Sequence, residues 1–300
     1  MPQQLINSEP IDPEFIVDEL DISHLTIEDE TPVDNFQSAQ QQRLLIDTLC
    51  SNELLPLPFI AETNVGLFYK LKGDPIVPDM LLSLEVQRAE DLSQRRHRAY
   101  FVWEFGKVPD VCIEVVSNQE GDELGPSPKS KRKGKTKGKK DIYAQIGVPY
   151  YVVFDPLRQL QGEADMNGAL LRIWHIVSGQ YQELTPESGI TAVGQPVFLE
   201  TLGIGLTLWE GPFEEEMPRL WLRWCDPQGQ VLPTGAEGKA LERQRAEAES
   251  QRAEAESQRA EAESQRAEAE SQRAEAESQR ADRLAEKLQE MGIDPDSVIP

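Results

Sequence analysis

The chain is short of the residues that most often mark a site. Among its 300 residues are three cysteines, Cys50, Cys112 and Cys225. They lie far apart and in no metal-type spacing, so they read as reduced thiols rather than a disulfide framework or a zinc cluster. The three histidines, His24, His97 and His175, are equally scattered and in no zinc-binding spacing. No apolar run approaches the roughly 18 residues that a membrane-crossing helix needs, and the opening "MPQQLINSEPIDPEF" has neither the basic start nor the apolar stretch of a signal peptide. A soluble, cytoplasmic protein with no membrane partner is the expectation. Glycine is placed wrongly for a dinucleotide or P-loop site, since "GIGLTLWEG" has too few glycines in the wrong context. Hydrophobic content, at 39%, is modest, which predicts that part of the chain stays outside any core.

Charge is abundant but uneven. The net value of −23 argues at first against a polyanionic partner. Yet the acidity is concentrated in the first 35 residues and in the C-terminal repeats, while the middle holds a dense basic run, so the total says little about any one surface.

Along the chain, residues 1–36 are acidic and interrupted by Pro10, Pro13 and Pro32, and read as a mostly unordered leader with a short amphipathic piece near "FIVDELDI". "SAQQQRLLIDTLCSNEL" then has helical spacing at Leu44, Leu45, Thr48 and Leu49. The period changes in "VGLFYKL", "IVPDMLLSLEV", "DVCIEVVS" and "YYVVFDP", which are short runs rich in β-branched and aromatic residues and bounded by Pro or Gly. "KKDIYAQIG" reads as a helix stopped by Gly147, and "LLRIWHIVSGQYQEL" as a hairpin turning at Ser178-Gly179. "VFLETLGIGLTLWEG" adds an expected edge element, and Trp209, Trp221 and Trp224 read as core anchors. The pattern predicts an α/β domain over 37–215, with a mixed sheet flanked by helices, then a linker at 216–240, a long charged helix at 241–292 and a tail at 293–300.

The helix is the plainest element. "QRAEAES" occurs five times in succession from Gln244 to Ser278, and all its residues but Ser are good helix formers. Arg245 and Glu249 stand at i,i+4, a pair worth about 0.2–0.5 kcal/mol. A seven-residue period suggests a coiled coil, but the only apolar seam is alanine, spaced two and five apart rather than three and four. A solvated single helix and a coiled-coil dimer therefore both remain open.

One strand carries an anomaly. In "DVCIEVV", alternation puts Cys112, Glu114 and Val116 on one face and Val111, Ile113 and Val115 on the other. A carboxylate in such a strand must be paired, metal-bound or at an exposed edge, because an isolated buried charge is too costly. "IVPDMLL" likewise sets Asp79 in apolar sequence. Two carboxylates on neighbouring strands could form an oxygen cage for a hard divalent cation such as Mg²⁺; each could equally be an ordinary structural or exposed acid at a strand end.

"VPDM", "PDVCIEVVSNQEGDEL" and "KKDIYAQIGVPYYVVFDP", in that order, resemble the blocks of the Uma-type restriction-endonuclease family, within the PD-(D/E)XK nuclease superfamily. The resemblance covers roughly Gln40 to Trp224. It implies a restriction-endonuclease-like fold and a nuclease that cuts phosphodiester bonds in DNA with Mg²⁺ or Mn²⁺. It also implies that Asp79 and Glu114 are the catalytic, metal-binding acids. The superfamily places a lysine two residues after the second acid, where this chain has Val116. In this family the lysine comes instead from the next helix, four residues before its tyrosine. Counting back from Tyr143 gives Lys139, with Lys140 beside it and with Lys139 and Tyr143 on one helix face. Dimerisation through the core or the C-terminal helix would suit cutting of two strands.

"PKSKRKGKTKGKK", within an insertion spanning 126–140, supplies candidate phosphate contacts at Lys131, Arg132, Lys133, Lys135, Lys137 and Lys140. It could also be a solubilising insertion or a partner for the acidic leader. The alternative to a nuclease is a non-catalytic interaction or scaffold protein that works through the repeat helix.

Overall fold

The computed structural model describes residues 35–70, 75–93, 97–126 and 136–292. The expected leader, apart from its last residues, and the tail after 292 lie outside that set. The chain divides into two compact units, 1–235 and 236–300.

The first unit begins with helix α1 (Phe36–Cys50), capped by the Asn35 side chain, which accepts from the Ser38 N–H. Strands β1 (Phe59–Thr63), β2 (Leu67–Phe68), β3 (Met80–Leu84) and β4 (Tyr100–Phe101) follow, then a single helical turn α2 (Val102–Phe105) and strand β5 (Val111–Val115). Helix α3 (Lys139–Ile146) leads into β6 (Tyr150–Phe154), the hairpin β7 (Leu171–Val177) and β8 (Gln180–Glu183), and strands β9 (Val197–Leu199), β10 (Ile204–Gly211) and β11 (Arg219–Cys225).

Six strands form one mixed sheet in the order β1-β3-β5-β6-β7-β8. Its centre is the parallel pair β5–β6, joined by the crossover that contains α3, and every residue of both strands is buried. The other pairs in this sheet are antiparallel. Alternation along β5 holds as the pattern requires. Val111, Ile113 and Val115 face one apolar layer, with Leu45 and Leu49 of α1 and Leu206, Leu208, Leu222 and Trp224. Cys112 and Val116 face the other, with Tyr143 of α3, Leu67, Ile76 and Tyr100. Gly147 ends α3 in the left-handed conformation, at φ 86°, and the hairpin turns through Ser178 and Gly179, both at positive φ. Cys112 and Cys225 are buried, Cys50 is exposed, and all three are free thiols.

Two expectations need correction. "VFLETLGIGLTLWEG" holds two strands, of which only the first is at an edge: β9 ends a second sheet ordered β11-β10-β9, and β10 is its middle strand. The segment expected as linker contains β11, whose last five residues, Trp221 to Cys225, are buried. Arg223 disguised that strand by placing a cation in the run "LWLRWC". Its guanidinium donates to the Leu232 carbonyl at 2.6 Å and lies 4.7 Å from the centre of the Trp209 ring, so the charge is accommodated inside. Trp221 and Trp224 are fully buried, as core anchors should be.

The glutamine-rich face of α1 finishes the second sheet. The Gln41 side chain donates to the Leu222 carbonyl at 2.8 Å and accepts the Leu222 N–H at 2.9 Å, and Gln37 donates to the Leu220 carbonyl. Side-chain amides thus satisfy the outer edge of β11 as a further strand would. The Trp224 indole donates to the Leu45 carbonyl and ties the same helix down again.

The second unit is described by helix α4 (Gly235–Glu290), 56 residues with none buried, on the order of 84 Å long at 1.5 Å per residue. No helix among the described residues is long and apolar enough to cross a membrane.

Candidate active site

Antiparallel register brings the two anomalous acids together. Met80 pairs with Ile113 and Leu81 with Cys112. Asp79 immediately precedes β3 and Glu114 immediately follows the last residue of β5 paired with it, so the end of this ladder brings the two acids near one another. The Asp79 charge adds to the upward push on the Glu114 carboxyl.

Glu114 is 1% exposed, and both its oxygens are occupied. The Tyr143 hydroxyl donates to Oε1 at 2.9 Å and the Lys139 ammonium donates to Oε2 at 2.6 Å. Lys139 also donates to the Val77 carbonyl at 3.1 Å, which links α3 to the segment just before β3. Spacing of four along α3 explains why its lysine and tyrosine reach one carboxylate. Burial raises the Glu114 carboxyl, against the pull of Lys139, and Asp79 and Glu123 push it further up. Burial works to discharge Lys139, but Glu114, Asp79 and Glu123 together hold its ammonium well above the usual lysine value.

Asp79 also has structural work. The β3–β5 ladder stops at Met80 and Ile113, and the next inward N–H, that of Val115, donates to Asp79 Oδ2 at 2.6 Å. Gln42 of α1 approaches Oδ1 at 3.5 Å, and its own Oε1 accepts from Asn64.

Around α3 the structure adds residues that the sequence did not point to. The Lys139 and Lys140 N–H groups donate to the carbonyls of Asp122 and Glu123, at 2.7 and 3.1 Å. The loop after β5 therefore caps the helix. Gly138 lies so close to Gly125 that a Cβ there would come 2.6 Å from the Gly125 carbonyl carbon, and the base of the basic insertion is closed by that contact. Glu123 itself is 8% exposed, and its Oε2 has no hydrogen-bond partner among the described residues. Nothing in "GDELG" distinguishes this acid from its neighbours, because its burial comes from the capping of α3 across the insertion.

Of the expected phosphate contacts, Lys131, Arg132, Lys133 and Lys135 lie outside the described residues. Lys137 is exposed and donates to Gln145 at 2.6 Å. Lys140 is turned inward, with its ammonium 4.0 Å from the centre of the Trp174 ring, and burial lowers its pKa. Among the described residues, no three His, Cys, Asp or Glu side chains are placed to hold one metal ion by themselves.

Among curated proteins, no match was found. A family model does match: Uma2, described as a putative restriction endonuclease, aligns with residues 23–207. That span covers more than half of the 300 residues and contains β1 to β9, the Asp79–Glu114 pair and α3. With its mixed sheet, its paired acids and the lysine of the following helix now in place, the chain belongs to the Uma2 family.

Proposed function

We propose that the protein is a divalent-cation-dependent nuclease that hydrolyses phosphodiester bonds in DNA. The observation that carries this reading is the buried Glu114 carboxylate, in contact with the Lys139 ammonium and next to Val115, whose N–H holds the Asp79 carboxylate. Burying a carboxylate in the central strand of a sheet weakens the fold unless a cation compensates. Here an ammonium already does so where hard oxygen donors converge.

The donor set suits Mg²⁺ or Mn²⁺, which favour carboxylate oxygens and retain waters in their remaining positions. Asp79 and Glu114 would hold the ion. When bound, it would polarise a phosphoryl oxygen and acidify a bound water. The chain's own groups do the rest. Tyr143 fixes the orientation of Glu114, the Val115 N–H fixes Asp79, and Lys139 offers a positive charge to the attacking water or to the charge that builds on the phosphorus oxygens. The basic insertion, with Lys131, Arg132, Lys133, Lys135 and Lys137, would grip DNA phosphates beside α3, which makes binding salt-sensitive.

The test is nicking of supercoiled plasmid by the purified full chain with Mg²⁺ or Mn²⁺, compared with Asp79→Asn and Glu114→Gln. Cation-dependent nicking that falls at least about a hundredfold in both variants supports the reading. Equal silence of all three proteins over varied DNA and metals overturns it and favours the scaffold role of α4.

A further inference from the structure

We infer that Glu123 is a positioning residue for Lys139: it receives the ammonium when a divalent cation takes the Asp79–Glu114 pair. The inference rests on the cation-binding reading above. In the structure, Lys139 and a metal ion would compete for the same atom, Glu114 Oε2, which the ammonium now contacts at 2.6 Å. A lysine displaced from there keeps the Val77 carbonyl as an acceptor but loses its carboxylate, and a partly buried ammonium without a counter-charge is costly.

Glu123 meets that need. Its loop is fastened to the first turn of α3, where the Lys139 and Lys140 N–H groups donate to the Asp122 and Glu123 carbonyls, and its buried carboxylate is close enough for its charge to act on Lys139. Its backbone carbonyl is held twice, accepting from the Tyr151 hydroxyl and from the Lys140 N–H. Its Oε2 is buried and has no hydrogen-bond partner among the described residues. A buried carboxylate oxygen left open beside a lysine is an unusual expense in a folded protein. It becomes intelligible as an acceptor used in a second state.

The charges agree. The charges of three carboxylates, those of Asp79, Glu114 and Glu123, act on one ammonium. When all are ionised the pocket carries two net negative charges, which one divalent cation neutralises. Because no three acids here are placed to grip an ion together, Glu123 serves the lysine rather than the metal. Moving Lys139 from Glu114 to Glu123 keeps the ammonium in the pocket while freeing the metal-binding oxygen.

Mn²⁺ binding to the full chain, followed by the loss of free-ion signal in electron paramagnetic resonance, tests this without reference to activity. Wild type should bind, and Glu123→Gln should bind about tenfold more weakly. In a Lys139→Met background the same substitution should change affinity less than twofold, because no ammonium remains to be housed. Unchanged affinity in Glu123→Gln overturns the inference. So does an equal loss in both backgrounds, which would make Glu123 a direct ligand. If the Lys139→Met chain lacks a cooperative melt, the Nζ resonance of Lys139 in ¹⁵N-lysine-labelled protein decides instead. Mg²⁺ should shift it in wild type, and Glu123→Gln should erase it through exchange with water. A resonance that Mg²⁺ leaves in place overturns the inference. Failure of wild type to bind Mn²⁺ at all is a different result, and it removes the metal-binding reading beneath.

Discussion

Glu114 and the glutamates of the QRAEAES repeats carry the same side chain and each has a basic residue within reach in the fold or in the sequence, yet they differ in almost every physical respect. Glu114 is in the central strand of a sheet, 1% exposed, with a lysine and a tyrosine on its two oxygens. The repeat glutamates lie on a helix with no buried residue, where arginines stand one turn away in sequence and the carboxylates face water. The first region confines few charges at a cost in stability, and the second spreads many at almost none. A side chain's contribution to stability and chemistry therefore follows its burial, and only the first region has ionic contacts whose loss the fold should register.

The largest test of that contrast is removal of one partner from each kind of pair. Lys139→Met strands a buried carboxylate and should lower unfolding free energy by about 3–5 kcal/mol in urea titrations. Arg252→Ala should lower it by no more than about 0.5 kcal/mol. Comparable losses would erase the distinction between the regions.

Acidity gives the next largest effect. In the cation-free fold, burial raises Glu114 from 4.5 to about 8. Between those values the folded state binds a proton that the unfolded state has released, so the stability contributed by the protonated group is complete below 4.5 and lost as pH rises through 8. Wild type should lose about 4 kcal/mol relative to Glu114→Gln over that range, as parallel thermal melts would record. A Glu114→Gln difference that stays flat with pH would mean that Lys139 neutralises the carboxylate fully at all these values.

Cation binding should restore part of what burial costs. Mg²⁺ at about a hundred times its dissociation constant adds about 2.7 kcal/mol, and Asp79→Asn should abolish that gain in differential scanning calorimetry. Tyr143→Phe is milder. It frees Glu114 Oε1 from one hydrogen bond and should cost about 1–2 kcal/mol in the same urea titrations.

How much of this was legible in the sequence depended on whether the signal was local. Alternation in "DVCIEVV" gives the correct faces of β5, and Gly147 gives the correct end of α3, because period and turn chemistry act over a few residues. Asp79, Glu114 and Lys139 were named from spacing and family resemblance; in the fold Lys139 pairs with Glu114, and the N–H of the neighbouring Val115 holds Asp79. What escaped was non-local. Glu123 is buried only because its loop caps α3 across the basic insertion. β11 was read as linker because Arg223 breaks its apolar run, and the Leu232 carbonyl and Trp209 ring that accommodate the charge come from elsewhere in the chain.

The smallest predicted effects lie in α4, where they still discriminate. A solvated helix has no seam to keep in phase, whereas a coiled coil must keep its seam facing a partner. Deleting one whole repeat, residues 258–264, shifts helical phase by only about 20°; deleting three residues, 258–260, shifts it by about 60°. With only alanine along the repeats and every residue of the helix open to solvent, both deletions should leave the molar mass in light scattering at the single-chain value. Neither should move the thermal midpoint of the first unit, since the two units are separately compact. A dimer mass that survives loss of seven residues and disappears with loss of three would show that the alanines meet a second copy, and the repeat glutamates would then no longer stand for charges that the fold leaves in water.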